Sequence, residues 1–532
     1  MAKFNTPGRG RTAAAGPVQI DRTVTGLVTH EGAPAFARTP MSELFMIGVA
    51  NFVGEGTFYE SAEARDQRYA RLVREVAVSD VDWLVGFVRW LRNVAGLRSA
   101  PLVAAAEAVH ARRAAGLTGR NRELVDASIG RADEPGEFLA YWRSKFGRSL
   151  PSPVKNGLAD AVRRVWSEYA VAKYDTAAAG YRFGDVVEAV HPRPRTPAEA
   201  ELFEHLLARR HGRAEVFRGA GLPLLRARAA MGQFPVAGRR ALLADSWDLF
   251  RDAGMTWEAV SGWLEGPMDK AAWEAVIPHM GLFALARNVR NFDQAGVSDR
   301  VAARVAARFA DAEKVAKAGI FPYQWLAAYE AAPSLRWSQP LDQALNASVA
   351  CAPTLDGPTL VLVDTSASMT QAPYSAKSKM APVKNAAIFG VALALRNPDT
   401  DLVGFATGTF EHRVPRGTSL LTVVSSFTGR VGEVGHGTEI AASIRARFRP
   451  GYHRRVFVIS DMQTMDGTYG QGVADVLPAD VALYGVNLGG YRPTPIPAGD
   501  RLRVELPALS DKVFSMIPML EAGVRAAWPW MQ

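Results

Sequence analysis

The chain has 532 residues, 48% of them hydrophobic, and a formal net charge of +9. That length and apolar content support more than one buried core, so two or more domains are expected. No run is long and apolar enough for a membrane span, no signal-peptide core opens the chain, and a single cysteine, Cys351, excludes a disulfide framework. These features predict a cytoplasmic protein without a membrane partner. No Ser/His/Asp arrangement, paired-cysteine site or phosphate-binding loop is recognisable, so no catalytic machinery is expected and the chain is read as a non-enzyme.

Taken in chain order, residues 1–20 are rich in Gly, Ala, Thr and Arg and read as a disordered basic arm. Residues 21–352 read as one helical region. Apolar residues at three- and four-residue spacing predict helices over 82–93, 101–115, 156–172, 197–211 and 272–290. Pro197 suits a first helical turn, and the connectors carry Gly180, Gly184, Pro192, Pro194 and Gly296. No exact repeat is present, so a solenoid built from these helices has strongly diverged units. Most of the basic excess lies here: residues from Asp356 onward carry a net +2 of the total +9. It is densest where Arg143, Lys145, Arg148, Lys155, Arg163, Arg164 and Lys173 are opposed within the stretch only by Asp160 and Glu168. Such a patch attracts polyanions, RNA among them. The plainer reading of the same residues is a solvated helical face.

A second domain, residues 353–532, opens at the turn-rich Pro353–Pro358 stretch. Apolar runs at Thr359–Val363, Asp401–Ala406, Val456–Ser460 and Val481–Leu488 read as strands buried on both faces, with a helix over Ala381–Leu395. Strands alternating with helices imply right-handed crossovers in a doubly wound sheet. At the exit of the first strand stands Asp364-Thr365-Ser366-Ala367-Ser368. Open α/β sheets place their ligand crevice at such strand ends. Thr438 follows the loop Gly435-His436-Gly437, and Asp461 follows the third apolar run. Asp364, Ser366, Ser368, Thr438 and Asp461 are hard oxygen donors suited to Mg2+ or another divalent cation. Their order resembles the metal-ion-dependent adhesion site of von Willebrand factor A domains. The site is expected at the surface of the sheet.

Several segments, in order, resemble the TROVE module of the Ro autoantigen family: Gly54-Glu55-Gly56-Thr57-Phe58-Tyr59, Lys173-Tyr174, Gly184-Asp185-Val186, His191-Pro192-Arg193-Pro194, Arg287-Asn288-Val289 and Phe321-Pro322-Tyr323-Gln324-Trp325-Leu326. A von Willebrand A-like domain directly follows them, as in a bacterial Ro orthologue. The resemblance implies a HEAT-like helical toroid bridged by the C-terminal domain in a monomeric protein. It implies a structured Y-like RNA on the outer surface and single-stranded 3′ ends of misfolded RNA in the hole. It further implies RNA quality control or decay, with an exoribonuclease as a partner. By motif, Lys173 and His191 fall at positions tied to RNA contact, and Arg287, Asn288 and the Glu55–Tyr59 loop are candidates for the inner surface. Asp175-Thr176-Ala177-Ala178 departs from the basic residues common in the family there. The competing reading is a metal-dependent protein-interaction adaptor without a dedicated RNA ligand.

Overall fold

The computed structural model describes residues 16–50, 54–176, 179–213, 217, 219–318, 320, 322–332, 334–371, 381–465, 472–499, 502–507, 516–521 and 528–531. It forms two compact units. One takes in the chain up to Leu72 together with Ser348 onward, and the other is Val73–Ala347.

The Val73–Ala347 unit is helical. The predicted segments appear at Val81–Asn93, Ser99–Ala114 and Pro197–Arg210. Two predicted helices are each broken. Residues 156–172 divide into Ser152–Val165 and Glu168–Tyr174, because Ser167 is extended (φ −145°) and its hydroxyl accepts from Ala170 N–H, capping the second helix. Residues 272–290 divide into Lys270–Val276 and Leu282–Gln294, with a 3-10 turn over Ile277–His279 between them. Pro278 lacks the N–H that an unbroken α-helix would use there. Side-chain caps start other helices, Asp80 accepting from Trp83 N–H at 2.9 Å and Thr196 from Glu199 N–H at 3.1 Å.

Two glycines let these helices approach closely. A Cβ on Gly157 would lie 2.5 Å from Arg122 O, where Ser152–Val165 packs on Asn121–Ser128. A Cβ on Gly184 would meet the Arg210 Cβ at 2.5 Å, where Phe183–Val190 packs on Pro197–Arg210. Trp83, Trp142, Trp325 and Trp337 are among the largest side chains buried in this unit.

In the other unit, the chain start forms a short antiparallel ribbon of β1 (Leu27–Val28) and β2 (Pro34–Ala35). Its main sheet contains β3 (Thr359–Asp364), β4 (Thr400–Phe405), β5 (Thr409–His412), β6 (Arg455–Ser460), β7 (Ala482–Asn487) and β8 (Arg503–Pro507). The spatial order is β5-β4-β3-β6-β7-β8, with every pair parallel except the β4/β5 edge. After β3 the chain winds toward β4, and later returns to the opposite side of β3 through β6. The switch point therefore lies at the carboxyl ends of β3 and β6, where such sheets bind ligands.

Residues before Leu72 belong to this unit and not to the helical one. Residues 1–15 of the expected disordered arm lie outside the described residues, whereas residues 16–20 are described. Val18 and Ile20 are buried, and Ile20 N–H donates to Ala498 O at 3.0 Å. Arg38 and Glu505 form a fully buried bidentate ion pair, with Nε–Oε2 at 2.7 Å and Nη2–Oε1 at 2.5 Å. Asn487 and Thr494 also donate to Glu505, and Arg38 Nη1 donates to Tyr491 O at 2.7 Å, so every charged edge is met.

Candidate metal centre and nucleic-acid interface

The two apolar strands aim the donor residues. Asp364 ends β3, and its Oδ1 accepts from Ser366 N–H at 2.8 Å, which folds the D-x-S-x-S turn back over the strand end. Ser366 Oγ and Ser368 Oγ are 3.2 Å apart. Asp461 follows β6 and accepts from Gln463 N–H at 3.1 Å. Met462 next to it is fully buried in the left-handed region (φ 64°), a strained conformation that turns the chain sharply at the site. Ser368 also hydrogen-bonds to the Asp461 carboxylate, which ties the two turns together.

The Gly435-His436-Gly437 loop delivers Thr438. His436 O accepts from Ala367 N–H at 3.0 Å, joining this loop to the D-x-S-x-S turn. Thr438 O accepts from Met465 N–H at 2.8 Å and from the Thr464 hydroxyl at 3.0 Å. Thus all five predicted donors stand at one end of the sheet. The structure differs from expectation in their exposure: all five are buried, between 0% and 6% exposed. The reason is the chain's own first segment, which covers the strand ends. His30 N–H donates to Gln463 Oε1 at 2.9 Å, Thr29 Oγ1 to Thr464 O at 2.5 Å, and Gly32 bridges Met465.

This donor set fits a hard divalent cation. Burial pushes the Asp364 carboxyl up to about 6. Burial first, then the neighbouring Asp364 charge, pushes Asp461 up to about 7. Among the described residues no basic side chain pairs with either carboxylate. A bound Mg2+ would be held by Asp364, Asp461 and the Ser366, Ser368 and Thr438 hydroxyls, and would supply the missing positive charge. Ser460 supports this arrangement and was not singled out from sequence. Its buried hydroxyl donates to Asp364 Oδ2 at 2.5 Å and accepts from Met462 N–H at 3.0 Å.

The predicted RNA-contacting residues divide into engaged and available groups. Arg163 pairs with Asp160 at 2.5 Å. Arg164 pairs with Asp126 at 2.8 Å and donates to the Asp126 and Ile129 carbonyls. Arg164 thus ties two helices together, Arg163 is held within its own helix and donates to Arg193 O at 3.3 Å, and Arg143 lies over the Tyr181 ring. Lys155 is half-buried, whereas Lys145 and Arg148 are exposed with no ion pair among the described residues. His191 caps the C-terminus of Phe183–Val190 in the left-handed region (φ 50°), and its side chain is exposed. Asn288 is buried and bonds within its own helix to Ala284 O and Asn291, a structural role. The Glu55–Tyr59 loop lies beside the metal donors in the other unit.

Lys173 and the helix carrying Arg287 meet at a cleft of about 500 Å3 in the helical unit. Its lining includes Tyr169, Lys173, Trp247, Arg251, Trp257 and His279. Lys173 Nζ lies 5.9 Å from the Tyr169 ring centroid and 5.2 Å from that of Tyr174. The exposed His279 ring stacks on Trp247 at 4.1 Å, and partial burial with the nearby Arg251 holds it below its ordinary pKa. Arg287, on the same helix as the lining residue Ala284, covers the half-exposed Phe283 ring at 5.6 Å. Sequence reading found Lys173 and Arg287 but missed the aromatic partners. Aromatic residues at helix ends look like core residues until their exposure is known.

Comparison with known proteins agrees with this architecture. Residues 243–350 match the TROVE domain family model. The fold matches the crystal structure of the Deinococcus radiodurans Ro (Rsr) protein at a TM-score of 0.63 and 18% identity, over 92% of this chain and 100% of that one. Among curated proteins, none matches the chain significantly in sequence. The described residues contain no helix long and apolar enough to cross a membrane. The sequence match over residues 243–350 and the shared fold agree with the resemblance read from the motifs: part of the helical unit is similar to the TROVE domain, and the chain has the fold of that bacterial Ro protein.

Proposed function

We propose that the protein is a non-catalytic RNA-binding scaffold whose helical unit takes single-stranded RNA, with a divalent cation held in its sheet-containing unit. The observation that carries the reading is the cleft around Lys173. It combines exposed aromatic faces at Tyr169 and His279 with the Lys173 cation, and its volume of about 500 Å3 suits one or two nucleobases. Aromatic stacking with basic groups is the usual chemistry of single-strand binding, each stacked base contributing about 1–3 kcal/mol. A base inside a duplex has both faces covered and cannot enter such a cleft. The exposed Lys145, Arg148 and His191 favour a second contact with a structured, Y-like RNA. On this reading the protein serves RNA quality control or decay in the cytoplasm, alongside an exoribonuclease.

Gel-shift titrations at one fixed salt concentration test the proposal. RNA with a protruding single-stranded 3′ tail should bind at least tenfold more tightly than the same duplex with blunt ends. Equal affinities would refute single-strand capture. The metal donors favour a second reading, in which the protein recruits a partner's carboxylate without any RNA. A preparation whose ultraviolet spectrum shows no nucleic acid, and which binds no added RNA, would support that alternative.

A further inference from the structure

Two of the five candidate donors, Ser368 and Asp461, line a small pocket of about 50 Å3, room for a few waters and not for a partner's loop. One wall consists of Ser368, Met369 and Asp461, and the facing wall is the chain's own Glu55-Gly56-Thr57-Phe58 segment with Tyr491. Tyr59 follows that wall. Its hydroxyl donates to Glu31 Oε1, and its oxygen shares the one Ser368 hydroxyl proton with the Asp461 carboxylate, so one phenol oxygen joins a candidate metal donor to a carboxylate on the β1–β2 turn. The Glu31 charge also acts on Asp461.

Aromatic packing fixes this arrangement. The His30 ring stacks on Tyr59 at 4.9 Å, and both meet Tyr491 edge-on at 5.4 Å. Tyr59 N–H points to the Tyr491 hydroxyl at 3.4 Å. Adhesion-type sites leave one coordination position for an acidic group brought by a partner. Here an acidic group of the same chain already stands at that face, one hydroxyl away from Ser368. Glu55 is the nearest rival, because it lines the pocket, but Glu31 is the carboxylate bonded into the donor network.

The geometry points to a self-closed metal site: Glu31, acting through Tyr59, is the acidic group that completes the cation's surroundings. The bound ion then clamps the first segment of the chain to the sheet, and does not await an external carboxylate. This inference rests on the proposed metal reading. The Glu31–Tyr59 pair lies outside the five donors, and loss of such an outer partner typically lowers metal affinity 10–100-fold.

Calorimetry with MgCl2 on the full chain, paired with amide hydrogen exchange, tests the inference. Glu31→Gln should weaken Mg2+ binding at least tenfold. Tyr59→Phe, which keeps the ring stacking, should weaken it in the same direction. In the wild type, Mg2+ should slow exchange at the His30, Ala33 and Tyr59 amides, and this protection should vanish in Glu31→Gln. Wild-type affinity and protection in Glu31→Gln would overturn the self-closed site while leaving the metal reading intact. A loss confined to Glu55→Gln would overturn it in favour of that residue. A wild type that binds no Mg2+ would overturn both.

Discussion

Replacing Asp461 with Asn should stabilise the metal-free protein above neutral pH, although it removes a metal ligand. The folded carboxyls of Asp364 and Asp461 titrate at about 6 and about 7, against 3.8 in the unfolded chain. Between these limits the folded state holds protons that the unfolded chain has already released. Raising the pH through that window therefore weakens the fold. Each pH unit of displacement corresponds to about 1.36 kcal/mol, so a rise of about three units at Asp461 sets a ceiling of about 4 kcal/mol. Relaxation and water penetration around a buried carboxylate pair lower that to roughly 2 kcal/mol. Asn keeps the shape and can still accept from Gln463 N–H, but it carries no charge.

The readout is urea unfolding at pH 5 and pH 8, with chelator or with Mg2+. In chelator the mutant should gain roughly 2 kcal/mol over the wild type at pH 8 and little at pH 5. Mg2+ at a hundred times its Kd should raise wild-type stability by about 2.7 kcal/mol and leave the mutant unchanged. A mutant less stable than the wild type at pH 8 without metal would refute the argument. It would mean that the Asp461 carboxylate is satisfied by groups other than a cation.

Other expectations follow from the remaining geometry. His279→Ala removes the outer plate of the Trp247 stack and should weaken tailed RNA by about 1–3 kcal/mol in a filter-binding assay, with blunt duplex unaffected. Replacing both Lys145 and Arg148 with Ala should flatten the salt dependence of RNA binding by up to about 0.7–0.9 of slope per lost phosphate contact. The Arg163/Arg164 double alanine mutant should leave that slope unchanged and instead lower the melting temperature. Arg38→Ala leaves Glu505 buried with only its Asn487 and Thr494 donors, and should cost about 3–5 kcal/mol by urea unfolding. A cost under about 1 kcal/mol would show that Glu505 is readily neutralised.

The sheet and its donors were legible for a physical reason. Parallel strands buried on both faces have to be continuous apolar runs, so 359–363 and 456–460 stand out, and the residues at their ends are placed by topology. The less regular edges were not legible. β8 reads Arg503-Val504-Glu505-Leu506-Pro507, and its buried charges make sense only once Arg503 is seen donating to the Leu477 and Val481 carbonyls and Glu505 pairing with Arg38. The charge balance of the basic patch was hidden for the same reason. Arg164 finds its counter-charge in Asp126, which lies 38 residues away and outside the stretch where opposing charges were counted. Ser167 and Pro278 could have signalled the two helix breaks, but the apolar periodicity continued through both and concealed them.

The position of the proposed metal site in the chain gives it a consequence beyond the donors themselves. Residues 73–347 are inserted in sequence between the two parts of the unit that holds the donors. The segment that covers the site, 29–35 and 54–60, precedes that insertion, whereas Asp364, Ser366, Ser368, Thr438 and Asp461 all follow it. An ion bound between them links the two sides of a long intervening chain. Because the site exists only in the folded chain, such a link stabilises the folded state, and the entropic cost of closing the loop grows only slowly with its length. The buried Arg38–Glu505 pair makes a second link across the same insertion. Metal binding and helical-unit stability should therefore be coupled even though Lys173 and the aromatic cleft share no residue with the donor set. Removing Mg2+ should loosen the first segment, and with it one of the restraints on the ends of the helical insertion.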